Sequence, residues 1–338
     1  MVTDAAALKE VFSPRWVESV RRMAAERYDL PADIRVSPLN YSENLTFLVG
    51  APSCGFRSIL RVNRSGYHTT AELESEMAWM RAIRRDTDLE IPDVIAGKDG
   101  GDVQSFPYGD HKADTCCMFG FLTGETPHEL RGAELEQLFR RLGGIAATLH
   151  RQVLAWDPPP GLTRFRWDFG ALIGPHARWG DWSQYSGMDG ERKSLFSAAV
   201  SLVSKRLAAF GCGRERFGLI HSDLHALNLL CEGSRIKVLD FDDCGYGWFL
   251  YDLASSLLRY NENLEELCGA WLEGYRAVRP LSREDEREIP TFLVMRRLTR
   301  LGWLASHPMS ASAREMAEDT AYLQYTQTLA EGYLRRFS

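Results

Sequence analysis

The chain has 338 residues, 45% of them hydrophobic and 25% charged, which is enough apolar material for one large domain or two ordinary ones. Its formal charge of −6 comes with scattered basic residues, so no nucleic-acid footprint is expected, and no segment approaches the roughly 18 uninterrupted apolar residues of a membrane span. The seven cysteines (54, 116, 117, 212, 231, 244 and 268) are odd in number and form no C-x-x-C pair, which argues against a disulfide framework or zinc ribbon and for a soluble protein of the reducing cytoplasm.

In chain order, SPRWVESVRRMAAERYDL opens with Ser13 as N-cap and Pro14 at the first helical position, predicting a helix. Short strand-like pieces follow at LTFLVG (45–50), RSILRVNR (57–64), residues 92–96 and TCCMFGFL (115–122). Between the second and third, TTAELESEMAWMRAIRRD offers Thr69 or Thr70 as a cap and repeats Leu73, Met77, Met80 and Ile83 at helical spacing. Gly124 and Pro127 interrupt both periodicities. Beyond them, GAELEQLFRRLGGIAATLHRQVLAW and ERKSLFSAAVSLVSKRLAAFG read as long amphipathic helices, separated by a Trp- and Gly-rich stretch (160–190) with no clear period. FGLI, NLLC and RIKVLD are brief strands, and from Trp248 onward the pattern is helical. The fold class is therefore α+β and bilobal: a small N-terminal β-sheet lobe with one inserted helix (1–119), a hinge (120–127) and a larger, mainly helical C-terminal lobe (128–338).

Chemistry concentrates in HSDLHALNLL, residues 221–230. NLLC and RIKVLD are separated by Glu232, Gly233 and Ser234, a hairpin signal. If Cys231 pairs with Arg235, Asn228 falls near Val238 and Asp240 one diagonal step away, with Asp223 able to reach the same space. Two carboxylates and a carboxamide meet at one spot. Hard oxygen ligands in small number suit Mg²⁺, which takes its remaining ligands from water and substrate phosphates. Asp223 is then free to accept a substrate hydroxyl's proton during phosphoryl transfer. A rival reading takes His221, Asp223 and His225, aligned on one strand face, as the metal ligands of a metallohydrolase.

The spacing His221, Asp223, Leu224, Asn228 matches the H-x-D-L-x-x-x-N catalytic loop of protein kinases, with Asp240-Phe241 where their D-F-G begins. HSDLHALNLL followed by VLDFDDCGYGWFLYDLA resembles more closely the aminoglycoside phosphotransferase and choline kinase family, in the branch of type II homoserine kinases and stress-response kinases. That resemblance implies a protein-kinase-like fold and an ATP- and Mg²⁺-dependent kinase phosphorylating a hydroxyl of a small molecule: an amino alcohol, an amino sugar or a homoserine-like compound. A stress-response type Ser/Thr protein kinase is the alternative.

Residue by residue, the resemblance implies Asp223 as catalytic base, Asn228 and Asp240 as Mg²⁺ ligands, and His221 and Asp252 as supports of the catalytic loop. It further implies that Arg61 meets the ATP phosphates with Glu76 as its partner, the alternatives being Glu72 or Glu74 as the partner and, for Arg61, the solvated face of a strand. Ser42 and Asn44 stand in the turn over the phosphates, and Gly120 to Leu122 would meet adenine through the backbone. Asp242 and Asp243 are either a solvated loop or an anionic wall for a substrate ammonium. Trp167, Trp179, Trp182 and Tyr185 belong to the core or to the acceptor pocket.

Overall fold

Ser13 caps the first helix, α1 (Pro14–Arg27), by accepting the Trp16 N–H, and Pro14 occupies its first turn as the sequence predicts. The computed structural model describes residues 13–41, 44–106, 114–127, 130–308 and 321–337. Contacts divide the chain into two compact units: the first holds the described residues up to Glu125 with Pro158–Thr163 and Leu230–Leu239, and the second holds Thr126–Asp157, Arg164–Leu229 and the described residues from Asp240 onward.

The first unit is built on an antiparallel sheet of β1 (Arg35–Tyr41), β2 (Leu45–Ala51), β3 (Phe56–Val62), β4 (Val94–Ile95), β5 (Gln104–Phe106) and β6 (Asp114–Gly120), in the order β1-β2-β3-β6-β4, with β5 also on β6. β1 and β5 escape the sequence reading for physical reasons. β1 carries Pro38, which donates no ladder bond and is tolerated because β1 lies at the sheet edge, with a register shift between Pro38 and Asn40. β5 is three residues long, too short to show a period. The apolar stripe of α1 (Trp16, Val20, Met23, Ala24) packs on Phe47, Val49, Leu60, Val62 and Met118. Helix α2 (Thr70–Asp86) starts with a capping box in which Thr69 and Glu72 satisfy each other's backbone N–H groups.

In the second unit, α3 (Gly132–Ala155) lies against a later helix, α7 (Leu264–Val278), at unusually close approach. A Cβ at Gly143 would stand 1.9 Å from the Trp271 carbonyl oxygen, and one at Gly274 1.7 Å from that of Arg140. The glycines that weaken α3 as an isolated helix are what let the two backbones touch.

The unassigned Trp-rich stretch forms β7 (Arg166–Trp167) and the short helix α4 (Phe169–Leu172). Helix α5 (Gly190–Phe210) precedes β8 (Phe217–Ile220), and a hairpin follows from β9 (Leu229–Glu232) and β10 (Arg235–Val238). β11 (Gly245–Trp248), absent from the sequence reading, pairs antiparallel with β8 and parallel with β7. The remaining helices are α6 (Phe249–Ser256), α7, α8 (Arg283–Arg287), α9 (Ile289–Ser306) and α10 (Ala321–Phe337).

One expectation needs correction. Glu232 belongs to β9, so the hairpin loop is the two residues Gly233 and Ser234, not three, and the register that pairs Cys231 with Arg235 does not hold. Gly233, at φ 59°, supplies the left-handed turn. Asn228 still immediately precedes β9 and Asp240 lies two residues past β10, so both flank the open end of the hairpin.

Candidate active site

Two non-glycine residues among those described adopt positive φ: Ser222 at 66° and Asp240 at 60°. Such conformations cost about 1–3 kcal/mol each and persist where the surroundings over-determine them. At Ser222 the over-determination is visible. Its N–H donates to Asp252 Oδ1 (2.7 Å), its carbonyl accepts from Ser255 Oγ (2.5 Å) and its own hydroxyl donates to the Asp243 carbonyl (2.7 Å). The last bond explains a serine at a position that would suit glycine: it ties the loop carrying Asp223 to the segment beginning at Asp240.

This turn presents Asp223 half-buried. Its Oδ1 accepts from Arg296 Nη2 (2.7 Å), while Oδ2 accepts from Asn228 Nδ2 (3.2 Å) and meets His225 Nε2 (3.2 Å). Burial works to raise the carboxyl's pKa, but the adjacent His225 ring, the Arg296 guanidinium and His221 outweigh it and hold Asp223 well below the usual carboxylate range. It is ionised at neutral pH. Asn228 ends a 3-10 turn (Ala226–Asn228), and its Nδ2 is committed to the Asp223 carbonyl oxygen (3.0 Å) as well as to Oδ2. The amide oxygen is the atom those bonds leave for a cation. Asp240 is exposed. A carboxylate and an amide oxygen form a hard, sparse donor set that fits a Mg²⁺ completed by water and phosphate oxygens.

The segment after Asp240 is clamped from the Trp-rich stretch. Arg164, 6% exposed, donates to the carbonyls of Cys244 (2.6 Å) and Asp242, and Trp167 Nε1 donates to that of Asp243 (2.7 Å). Asp242 is buried and Asp243 half-buried, so the pair is not a solvated loop. Trp167, Trp179 and Trp182 are buried and Tyr185 half-buried.

Asp252, in the first turn of α6, is fully buried. Besides Ser222 it accepts from the His221 N–H (3.3 Å) and from His150 Nε2 (3.0 Å). His221 is buried with its ring 4.8 Å from that of Phe241, beside Asp240. Sequence reasoning gave His221 and Asp252 but missed Ser255, one turn beyond Asp252, and His150, Arg164 and Arg296, which lie far away in the chain.

In the first unit, Arg61 and Glu76 make a two-pronged ion pair, Nη1 to Oε1 and Nη2 to Oε2, both 2.9 Å, with Arg61 Nε on Asn63 Oδ1 (2.9 Å). Arg61 is 7% and Glu76 1% exposed, so Arg61 is not a solvated strand face. Glu72 is committed to the capping box and Glu74 is exposed, which leaves Glu76 as the partner. Asn44 Oδ1 accepts the Arg64 N–H (2.8 Å), bracing the end of β3. Ser42 lies outside the described residues. The Gly120 N–H donates to the Asp93 carbonyl (2.8 Å), and Leu122, just beyond β6, is half-buried.

Residues 36–287 match the phosphotransferase enzyme family. The chain belongs to that family. It is 35% identical to a microcompartment-associated aminopropanol kinase of known structure, with a TM-score of 0.84 over 94% of this chain and 98% of that one. The amicoumacin kinase of Bacillus subtilis is 24% identical over 88% of this chain and 86% of its own. An amicoumacin kinase solved with AMP-PNP, Ca²⁺ and its antibiotic superposes at a TM-score of 0.76, 21% identical, over 97% of this chain and 96% of that one. The protein is a kinase, an ATP-dependent phosphotransferase for small molecules with a protein-kinase-like fold. Among the described residues no three His, Cys, Asp or Glu side chains are grouped to hold a metal, and the metallohydrolase reading of His221, Asp223 and His225 gives way to the kinase. No described helix is long and apolar enough to cross a membrane.

Beneath the loop runs a buried chain of hydrogen bonds. Arg279 Nη1 donates to Tyr275 Oη (2.8 Å), Tyr275 Oη lies 3.0 Å from His150 Nδ1, and His150 Nε2 meets Asp252. With Arg279 and Asp252 fixed as donor and acceptor, His150 is neutral with its proton on Nε2. Burial lowers its pKa from 6.5, more than the Asp252 bond and charge raise it. Below about pH 6.5 the unfolded chain binds a proton that the native protein refuses, so this contribution to stability is complete above that pH and is lost as pH falls below it. The unfolding free energy from urea titration should therefore drop between pH 7 and pH 5.5, by up to about 1.4 kcal/mol per pH unit from this group. His150→Gln should flatten that dependence, and an unchanged slope would contradict the assignment.

Proposed function

We propose that this kinase transfers the γ-phosphoryl group of ATP, with Mg²⁺, to the hydroxyl of a small amino alcohol of the aminopropanol type. The observation that carries the reading is the wiring of Asp223, an ionised, half-buried carboxylate with one donor on Oδ1 and two on Oδ2. Likeness to the aminopropanol kinase supports the acceptor class.

In this reading the acceptor hydroxyl hydrogen-bonds Asp223 Oδ1, the less occupied oxygen, and gives up its proton there as transfer proceeds. Asn228, through its amide oxygen, and Asp240 hold Mg²⁺, which when bound neutralises charge on the phosphates. Arg61, oriented by Glu76 and Asn63, meets the ATP phosphates, and Asn44, which accepts the Arg64 N–H, braces the chain beside them. The Leu122 backbone meets adenine in preference to Gly120, whose N–H is already committed to Asp93. Half-buried Asp243 receives the acceptor's ammonium, while Asp242, buried and clamped through its carbonyl, supports the loop. His221 and Asp252 fix the loop that carries the base. Seven cysteines with no disulfide among them favour a reducing compartment, the cytoplasm.

The test is ADP release with ATP and Mg²⁺ over 1-amino-2-propanol, ethanolamine, choline, homoserine, an aminoglycoside and a protein acceptor. Highest kcat/KM with a short amino alcohol is the expected result. Phosphate appearing on protein alone would overturn it.

A further inference from the structure

Arg296 belongs to no sequence motif. It stands in α9 within the apolar run FLVMRRL and is 3% exposed. Its nitrogens are used unequally: Nε donates to Ser255 Oγ (3.0 Å), Nη2 donates to Asp223 Oδ1 (2.7 Å), and Nη1 is buried with no hydrogen-bond partner among the described residues. The guanidinium lies over the rings of Trp179 (5.1 Å) and Tyr251 (5.7 Å), which hold it in place beside the carboxylate. The carboxylates acting on it are Asp223 and, more weakly, Asp243, beside the phenols of Tyr251 and Tyr322. A buried, charged donor left without an acceptor is costly, and the cost is recovered when a ligand oxygen arrives.

We propose that Arg296 Nη1 binds a non-bridging oxygen of the γ-phosphoryl group during transfer, making Arg296 a second catalytic residue beside Asp223. The planar fork fixes Nη1 next to Nη2, and therefore next to the Asp223 oxygen on which the acceptor hydroxyl sits. Whatever the acceptor, the atom bonded to that hydroxyl oxygen in the transition state is Pγ, so its equatorial oxygens come within reach of Nη1. In the step, the acceptor O–Pγ bond forms as the bond from Pγ to the β–γ bridging oxygen breaks. The electron pair leaves with ADP and the hydroxyl proton goes to Asp223; Arg296 exchanges no proton and supplies fixed positive charge.

The proposal rests on Asp223 as base but not on the identity of the acceptor, so it is read in two assays of the full chain: transfer to 1-amino-2-propanol, and slow ATP hydrolysis with water alone. Arg296→Gln and Arg296→Lys are expected to lower turnover about 10²–10³-fold in both, with the KM for the alcohol changed less than about threefold. The same factor should be lost when Arg296→Gln is added to Asp223→Asn, because an arginine on the phosphoryl group acts without the base. A raised alcohol KM with hydrolysis intact would place Nη1 on the acceptor and overturn the proposal. An effect that vanishes in the Asp223→Asn background would reduce Arg296 to positioning Asp223 and overturn it too. If Arg296→Gln melts early, Arg296→Lys, which keeps a cation there, decides. Absence of any transfer to 1-amino-2-propanol would sink the acceptor reading and leave the hydrolysis assay to judge this one.

Discussion

Asp223→Asn is expected to lower phosphoryl transfer about 10³-fold, within the range general-base groups contribute, while nucleotide affinity stays near that of the wild type and the protein remains folded, with a smaller loss of stability than alanine would cause. Asparagine is the informative replacement. Alanine would strip the buried Arg296 of the carboxylate 2.7 Å away, and breaking such a pair from one side typically costs about 3–5 kcal/mol, so lost activity could not be separated from lost fold. Asparagine keeps an oxygen for Arg296 Nη2 but cannot take the acceptor's proton. Steady-state ADP release with calorimetric nucleotide binding checks both halves. Turnover within tenfold of wild type would remove Asp223 from the chemistry.

The central motif was legible because its chemistry is local. Asp223 and Asn228 sit five residues apart and a single turn brings their side chains together, and Ser222 and Asp252 make the same loop's support readable from thirty residues. What escaped was whatever reaches the loop from a distant helix. Arg296 and His150 are polar residues inside largely apolar helical runs, FLVMRRL and IAATLHRQV, and no spacing rule links them to residues 70 or 100 positions away. A signal was nonetheless present: a charged or titratable side chain on the buried stripe of an amphipathic helix needs a partner, and the motif region offered the carboxylates of Asp223 and Asp252. The hairpin register failed for a different reason. Gly233 sets a two-residue turn, and composition alone does not say whether Glu232 ends the strand or begins the loop. β1 went unseen because Pro38 reads as a breaker until its edge position is known.

Asp252→Ala should instead lose stability and turnover together. The carboxylate has no exposure and accepts three bonds, from His150 Nε2, the His221 N–H and the Ser222 N–H, at 3.0, 3.3 and 2.7 Å. Alanine orphans three buried donors at about 1–3 kcal/mol each, and partial relaxation should leave a net loss of roughly 3–5 kcal/mol. The urea midpoint is expected to fall accordingly at unchanged m-value. Asp252→Asn keeps one acceptor oxygen and faces the other donors with an N–H, so it should fall between alanine and wild type. Turnover follows because the Ser222 N–H bond is one of three that hold its left-handed backbone, and that backbone aims Asp223. An unfolding free energy within about 1 kcal/mol of wild type for Asp252→Ala would break this chain of cause. The contrast with Asp223→Asn is then diagnostic: one variant keeps the fold and loses the chemistry, whereas the other loses chemistry because the turn that presents the base no longer has its anchor.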